Sequence, residues 1–115
     1  LKVQGQYGPN WGEGVIEALY DATSNTVTVW TFRLDTLTWH SYAPIAVTFA
    51  DGDQFGARAL STGEVVIYKN GIEVGYVTLN AADQAFFNSK GGYIGLWFID
   101  ARDAFFDDFG GGDLP

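Results

Sequence analysis

The chain has 115 residues, a formal net charge of −8, and neither cysteine nor methionine. Its 47% hydrophobic and 17% aromatic content suffices for one globular domain with a core. The acidic balance argues against nucleic acid and anionic membrane as partners, because a phosphate backbone needs Lys and Arg to neutralise it, and it suits calcium or neutral ligands such as sugars. Without cysteine there is no disulfide framework or thiolate site, and no apolar run reaches the roughly 18 residues of a membrane span.

Fifteen glycines, with many Val, Thr, Tyr, Trp and Phe residues, point to an all-β chain. Residues 1–7 (LKVQGQY) predict a strand with Leu1 and Val3 on one face. The chain opens on Leu1 rather than Met, already inside that strand, which marks a processed or excised piece. Residues 8–14 (GPNWGEG) form a loop with Trp11 at its tip, either a sugar platform or, more commonly for such a residue, a lid over an edge of the core. Residues 15–20 (VIEALY) and 26–33 (TVTVWTFR) predict a hairpin across the turn-rich DATSN. Residues 38–42 (TWHSY) predict the next strand and hold the only histidine, His40, which has no nucleophile beside it and reads as an ordinary residue. Pro44 ends that strand or sets it at an edge, and IAVTF at 45–49 is apolar enough to be buried. In DQFGARAL at 53–60, Phe55, Ala57 and Ala59 alternate with Gln54, Gly56 and Arg58.

Residues 64–78 (EVVIYKNGIEVGYVT) carry the strongest local signal in the chain. A type I′ turn needs φ > 0 at both central residues, and Asn70-Gly71 meets that need. A two-residue turn implies pairing of Lys69 with Ile72, Tyr68 with Glu73, Ile67 with Val74, Val66 with Gly75 and Val65 with Tyr76. Val65, Ile67, Val74 and Tyr76 then share the core face. Residues 80–88 (NAADQAFFN) are the only helix-like stretch, with Asn80 placed to cap it and Asp83 in its first turn. YIGLWF at 93–98 predicts a strand with Ile94, Leu96 and Phe98 inward, and AFFDDF at 104–109 a last strand. GGGDLP is a flexible exit, so the domain spans 1–109 and a tail or linker 110–115. Short strands at regular spacing imply an antiparallel β-sandwich or barrel.

Three pieces, GVIEALYDATSNTVTVWTF, GDQFGARALSTGEVVIYKNGIEVG and GGYIGLWFIDARDAFFDDFGGG, resemble the C-terminal part of concanavalin A-like jelly-roll domains of the lectin, glucanase and laminin-G type. The resemblance covers nearly the whole chain from Gly14. It implies a jelly-roll sandwich in an extracellular or cell-surface setting, of the kind found as a terminal module of bacterial proteins. Such domains are usually nearly twice as long, and their early strands are missing here. The same sandwich carries lectins, hydrolases and structural modules, so function has to be argued from a site.

Three constellations bear on chemistry. Asp100, Asp103, Asp107, Asp108 and Asp113 gather near the C-terminus, and Asp107 and Asp108 are the candidate ligands of a structural calcium. On a strand those two point to opposite faces, and edge carboxylates also serve simply to discourage pairing. The second is a face, opposite the expected core set, carrying Glu17, Thr28, Trp30, Gln54, Arg58, Tyr68, Tyr93 and Trp97. There aromatic planes could stack on sugar rings while charged and amide groups bond the hydroxyls; packing beneath loops explains the same residues. The third is catalysis. Glucanases of the resembling architecture carry an acidic E-x-D-x-x-E motif on one strand, and none exists here; Glu17 stands alone.

The sequence therefore predicts a noncatalytic sandwich module with a glycan as partner. Trp30, Trp97, Tyr93, Tyr68, Arg58, Gln54, Glu17 and Trp11 are its candidate contacts, and the rival reading is a protein-assembly module. Missing early strands would leave inner residues uncovered and an edge unpaired, so a second copy or another chain is expected to complete the sandwich, unless the 80–88 helix closes it instead.

Overall fold

A computed structural model of the chain describes residues 2–3, 10–100 and 105–112. The first sheet begins with β1 (Lys2–Val3), paired antiparallel to β2 (Gly14–Asp21); Leu1 and residues 4–7 of the expected first strand lie outside the described residues. β2 runs antiparallel to β3 (Thr26–Arg33) along its full length. Asp21 makes the turn between them, its carboxylate accepting from the Thr23 amide at 2.8 Å and the Ser24 hydroxyl at 2.9 Å, while Asn25 takes φ +51°. β4 (Thr38–Ser41) and the short β5 (Ile45–Ala46) both pair with β3. Period-two alternation sorts the side chains. Ile16, Val27 and Val29 enter the core, with Ala18 and Tyr20 packed against it, as the sequence implies.

The second sheet has the order β6 (Phe55–Ala59), β7 (Glu64–Lys69), β8 (Ile72–Thr78), all antiparallel. Asn70 and Gly71 take φ +53° and +77°, as the expected turn requires. Lys69 pairs with Ile72 and Tyr68 with Glu73, but a bulge then shifts the ladder, so that Ile67 faces Gly75, Val66 faces Tyr76 and Val65 faces Val77. The expected pairings of Ile67 with Val74 and Val65 with Tyr76 are thereby corrected. The cause sits at Gly75. A Cβ added there would lie 2.8 Å from Ile45 Cγ2, so the missing side chain lets β8 approach β5 of the opposite sheet, and strand glycines often mark such bulges. After the shift Val77 and Leu79 enter the core and Tyr76 turns outward. Phe55 and Ala59, expected inward, are exposed, and only Ala57 of that set packs on the core.

After β8 comes the one α-helix among the described residues, α1 (Ala81–Phe87), whose first turn is capped by the Asn80 side chain accepting from the Asp83 amide at 2.9 Å. Phe87 is buried in one cluster with Val65, Ile67 and Val77 of the second sheet, Leu79 just beyond β8, and Ile16, Val27 and Val29 of the first sheet. The molecule is thus an all-β sandwich of two antiparallel sheets with one short helix.

The C-terminal expectation is corrected. Apart from an isolated bridge at Tyr93, residues 91–100 and 105–112 form neither strand nor helix, and Ile94, Leu96 and Phe98 are each about half exposed. Ala104 lies outside the described residues. β-propensity measures fit to a pleated, half-buried surface, and apart from the bridge at Tyr93 none of the described residues of these segments is a strand of either sheet.

Candidate functional site

Register places two rows side by side on the outer face of the first sheet. Val15, Phe32 and Trp39 form one row across β2, β3 and β4; Glu17, Trp30 and Ser41 form the next. Opposed residues on one face have side chains within reach of each other. The loop before β2 adds a ring to the first row. Asn10 tightens it into a single 3-10 turn, Trp11–Glu13, by accepting from the Gly12 amide at 3.1 Å through its side chain and from the Glu13 amide at 3.0 Å through its carbonyl. Trp11 then falls back onto the sheet. It meets Phe32 edge-on at 5.4 Å and stacks on Trp39 at 5.8 Å and on Trp97 at 6.1 Å. Val15 and Phe32 are buried under this layer, yet Trp11, Trp39 and Trp97 remain 48%, 38% and 53% exposed. The loop tryptophan thus folds back over the sheet while its ring stays half exposed.

The remaining expected contacts do not join this face. Tyr68 and Arg58 stand on the outer face of the second sheet, across the core from Trp30, and Gln54 lies exposed just before β6. Tyr68 lies over Gly56, where an added Cβ would touch its Cβ at 3.4 Å. Tyr93 lies in the exposed C-terminal stretch. The single face expected from alternation is corrected to two, because the two sheets turn their outer faces away from each other. Asp107 and Asp108 lie in exposed coil, Asp108 with φ +52°; Asp103 and Asp113 lie outside the described residues. Among the described residues no three His, Asp or Glu side chains gather where one cation could bind them.

Two participants go beyond their sequence reading, in which Trp39 is not singled out and Asp83 is only a first-turn helix acid. Trp39 joins the row because a four-residue connection sets it opposite Phe32. Asp83 is the other. On the inner side, its Oδ2 accepts from the Thr31 hydroxyl at 2.6 Å and the Tyr42 hydroxyl at 2.5 Å, and Arg33 Nε lies 3.4 Å from its Oδ1. Tyr42 in turn accepts from the Asn80 amide at 3.0 Å. This cluster welds α1 to β3 beneath the aromatic rows.

Glu17 is the one carboxylate in the two rows. Burial beside Trp30 raises its pKa above the ordinary glutamate value. A carboxyl with a raised folded-state pKa binds its proton more tightly folded than unfolded. It therefore lowers stability as pH rises from the ordinary glutamate value through the raised one. Glu17→Gln is expected to stabilise the domain at neutral pH by a few tenths of a kcal/mol, since the group is half-buried and solvent screens the remainder, with the gain vanishing below the ordinary glutamate pKa. Urea midpoints at neutral and acid pH check this; a gain equal at both would mean that charge is not its origin.

No protein-family model, curated protein or solved structure matches the chain.

Proposed function

We infer that the domain is a noncatalytic binding module that takes a neutral carbohydrate on the outer face of the first sheet, of the kind seen in extracellular sandwiches of the concanavalin A-like jelly-roll class. The observation that carries this reading is a cluster of three partly exposed tryptophans, Trp11 stacked on both Trp39 and Trp97, beside a row holding Trp30, Glu17 and Ser41. Aromatic faces recognise the C–H faces of pyranose rings, and a carboxylate with a hydroxyl alongside bonds equatorial hydroxyls. An acidic chain repels anionic polymers and leaves neutral sugars as the fitting class. The cross-strand neighbour of Glu17 is Trp30, not a second carboxylate, which favours binding over hydrolysis.

The test is a titration of intrinsic tryptophan fluorescence with neutral gluco-, xylo- and manno-oligosaccharides. Saturable quenching by at least one is expected. Trp39→Ala should weaken it by about 1.4 kcal/mol, roughly tenfold in Kd, with an unchanged far-ultraviolet spectrum. Absence of a saturable response to every neutral oligosaccharide, or loss of the fold in Trp39→Ala, would overturn the reading and leave the tryptophans as packing.

A further inference from the structure

The C-terminal stretch carries a second surface, joined to the tryptophan face at Trp97. Residues 93–99 and 105–111 lie against each other: Phe98 and Phe106 meet edge-on at 4.6 Å, and a Cβ added at Gly111 would sit 2.8 Å from Ile94 Cδ1. Trp97 anchors this pair of segments to Trp11. Beyond that anchor the apolar side chains face water. Ile94, Leu96 and Phe98 are about half exposed, Phe106 and Phe109 slightly more, and Phe105 is 96% exposed.

Large apolar side chains of this kind offer about 150–250 Å² each, so at these exposures the four phenylalanines with Ile94 and Leu96 present roughly 500–850 Å² of apolar surface. Monomeric proteins rarely carry contiguous apolar patches above about 300–600 Å², whereas one side of a standard protein interface buries about 800 Å². The sequence of the patch also specifies how it would be covered. YIGLWF alternates and is rich in β-formers, yet beyond the single bridge at Tyr93 the segment belongs to no strand. A two-fold axis sets a segment antiparallel to its own copy, the geometry in which a strand pairs with itself.

We propose that this patch is a homodimer interface, in which residues 93–98 of two copies pair antiparallel about a two-fold axis and the phenylalanines of 105–109 close over the seam. The partner is a second copy of this chain because the area matches one side of an interface and the pairing element is self-complementary. Electrostatics oppose the union. Each copy carries −8, and Asp100, Asp107 and Asp108 stand exposed around the patch, so the dimer tightens as salt screens the repulsion.

Sedimentation velocity of the full chain over a concentration series tests this. A monomer–dimer equilibrium is expected, stronger at high salt. Phe105→Asp, at a side chain too exposed to support the fold, should weaken it about tenfold or more. Amide exchange at 94–98 should slow as concentration rises and should not do so in the variant. A monomer at every concentration, or open-ended oligomers in place of a dimer, would overturn the proposal, as would a dimer indifferent to Phe105→Asp. Phe105 is not one of the stacked tryptophans of the sugar reading, so the sugar titration in this variant distinguishes the two proposals: lost dimer with retained quenching supports this interface and leaves the sugar site standing.

Discussion

Replacing Asp83 with alanine is expected to destabilise the domain by about 3–5 kcal/mol, a large part of the stability of a chain this size. The carboxylate is 2% exposed and is tied to three groups at once. Its loss strands the Thr31 hydroxyl, which is 1% exposed, and removes the acceptor of Tyr42. Arg33 keeps only its 3.4 Å pairing with the exposed Asp35. A buried donor without a partner costs its full desolvation, which is why removing one member of such a cluster is worse than never having built it. Asp83→Asn, which keeps the shape and one acceptor, should cost roughly half as much. The prediction is checked by the urea midpoint at unchanged m-value, and by a double-mutant cycle with Thr31→Val, where the paired loss should fall well short of the sum.

Tyr42 gives a second readout of the same cluster. Burial first, then its hydrogen bond to Asp83, raises the phenol well above its ordinary pKa of 10.0. A raised folded-state pKa here means stability that is complete below the ordinary tyrosine value and lost as pH climbs past it. Ultraviolet titration should show Tyr42 ionising only with unfolding in the native chain. It should move back toward the ordinary value in Asp83→Asn if that variant stays folded.

How much of this was legible in the sequence follows the range of the interactions. The β2–β3 hairpin, the Asn70-Gly71 turn and the Asn80 cap are set by neighbours within a few residues, and their side-chain chemistry is written in order along the chain. The bulge at β8 was half legible: Gly75 in a strand interior is its usual mark, but only the approach of Ile45 from the other sheet means that a side chain there would force a shift. Asp83 reads as a first-turn helix acid, because nothing local reveals Thr31 and Tyr42, 52 and 41 residues away. The tryptophan row is hidden for the same reason, assembled from a loop, a strand and a distant C-terminal segment. YIGLWF and AFFDDF failed in the opposite direction. Their composition is that of strands, but a strand exists only where another edge accepts its hydrogen bonds.

Gly63→Ala is expected to cost about 3 kcal/mol, from two sources that can be separated. Gly63 is buried at the turn into β7 with φ +91°, a conformation that costs an L-residue about 1–2 kcal/mol. The added methyl would also lie 2.4 Å from Gln84 Cδ and 2.6 Å from Gln84 Cγ. Gln84 cannot swing aside freely, because its Nε2 donates to the Leu79 carbonyl at 2.6 Å. The backbone is equally committed, since the Gly63 carbonyl accepts from the Leu79 amide at 2.8 Å and its amide donates to Leu60 at 3.0 Å. The residue thus holds the start of β7, the end of β8 and the helix in one place. Gly71→Ala isolates the conformational part: φ is +77° and an added Cβ meets nothing within 4 Å, so about 1 kcal/mol is expected there. Gln84→Ala isolates the steric part, because in that background Gly63→Ala should fall to the Gly71 value. Urea midpoints for the native chain, the three single variants and the Gly63→Ala/Gln84→Ala double variant decide the matter. If Gly63→Ala costs no more than Gly71→Ala in the native background, the contact with Gln84 does not constrain this corner of the sandwich.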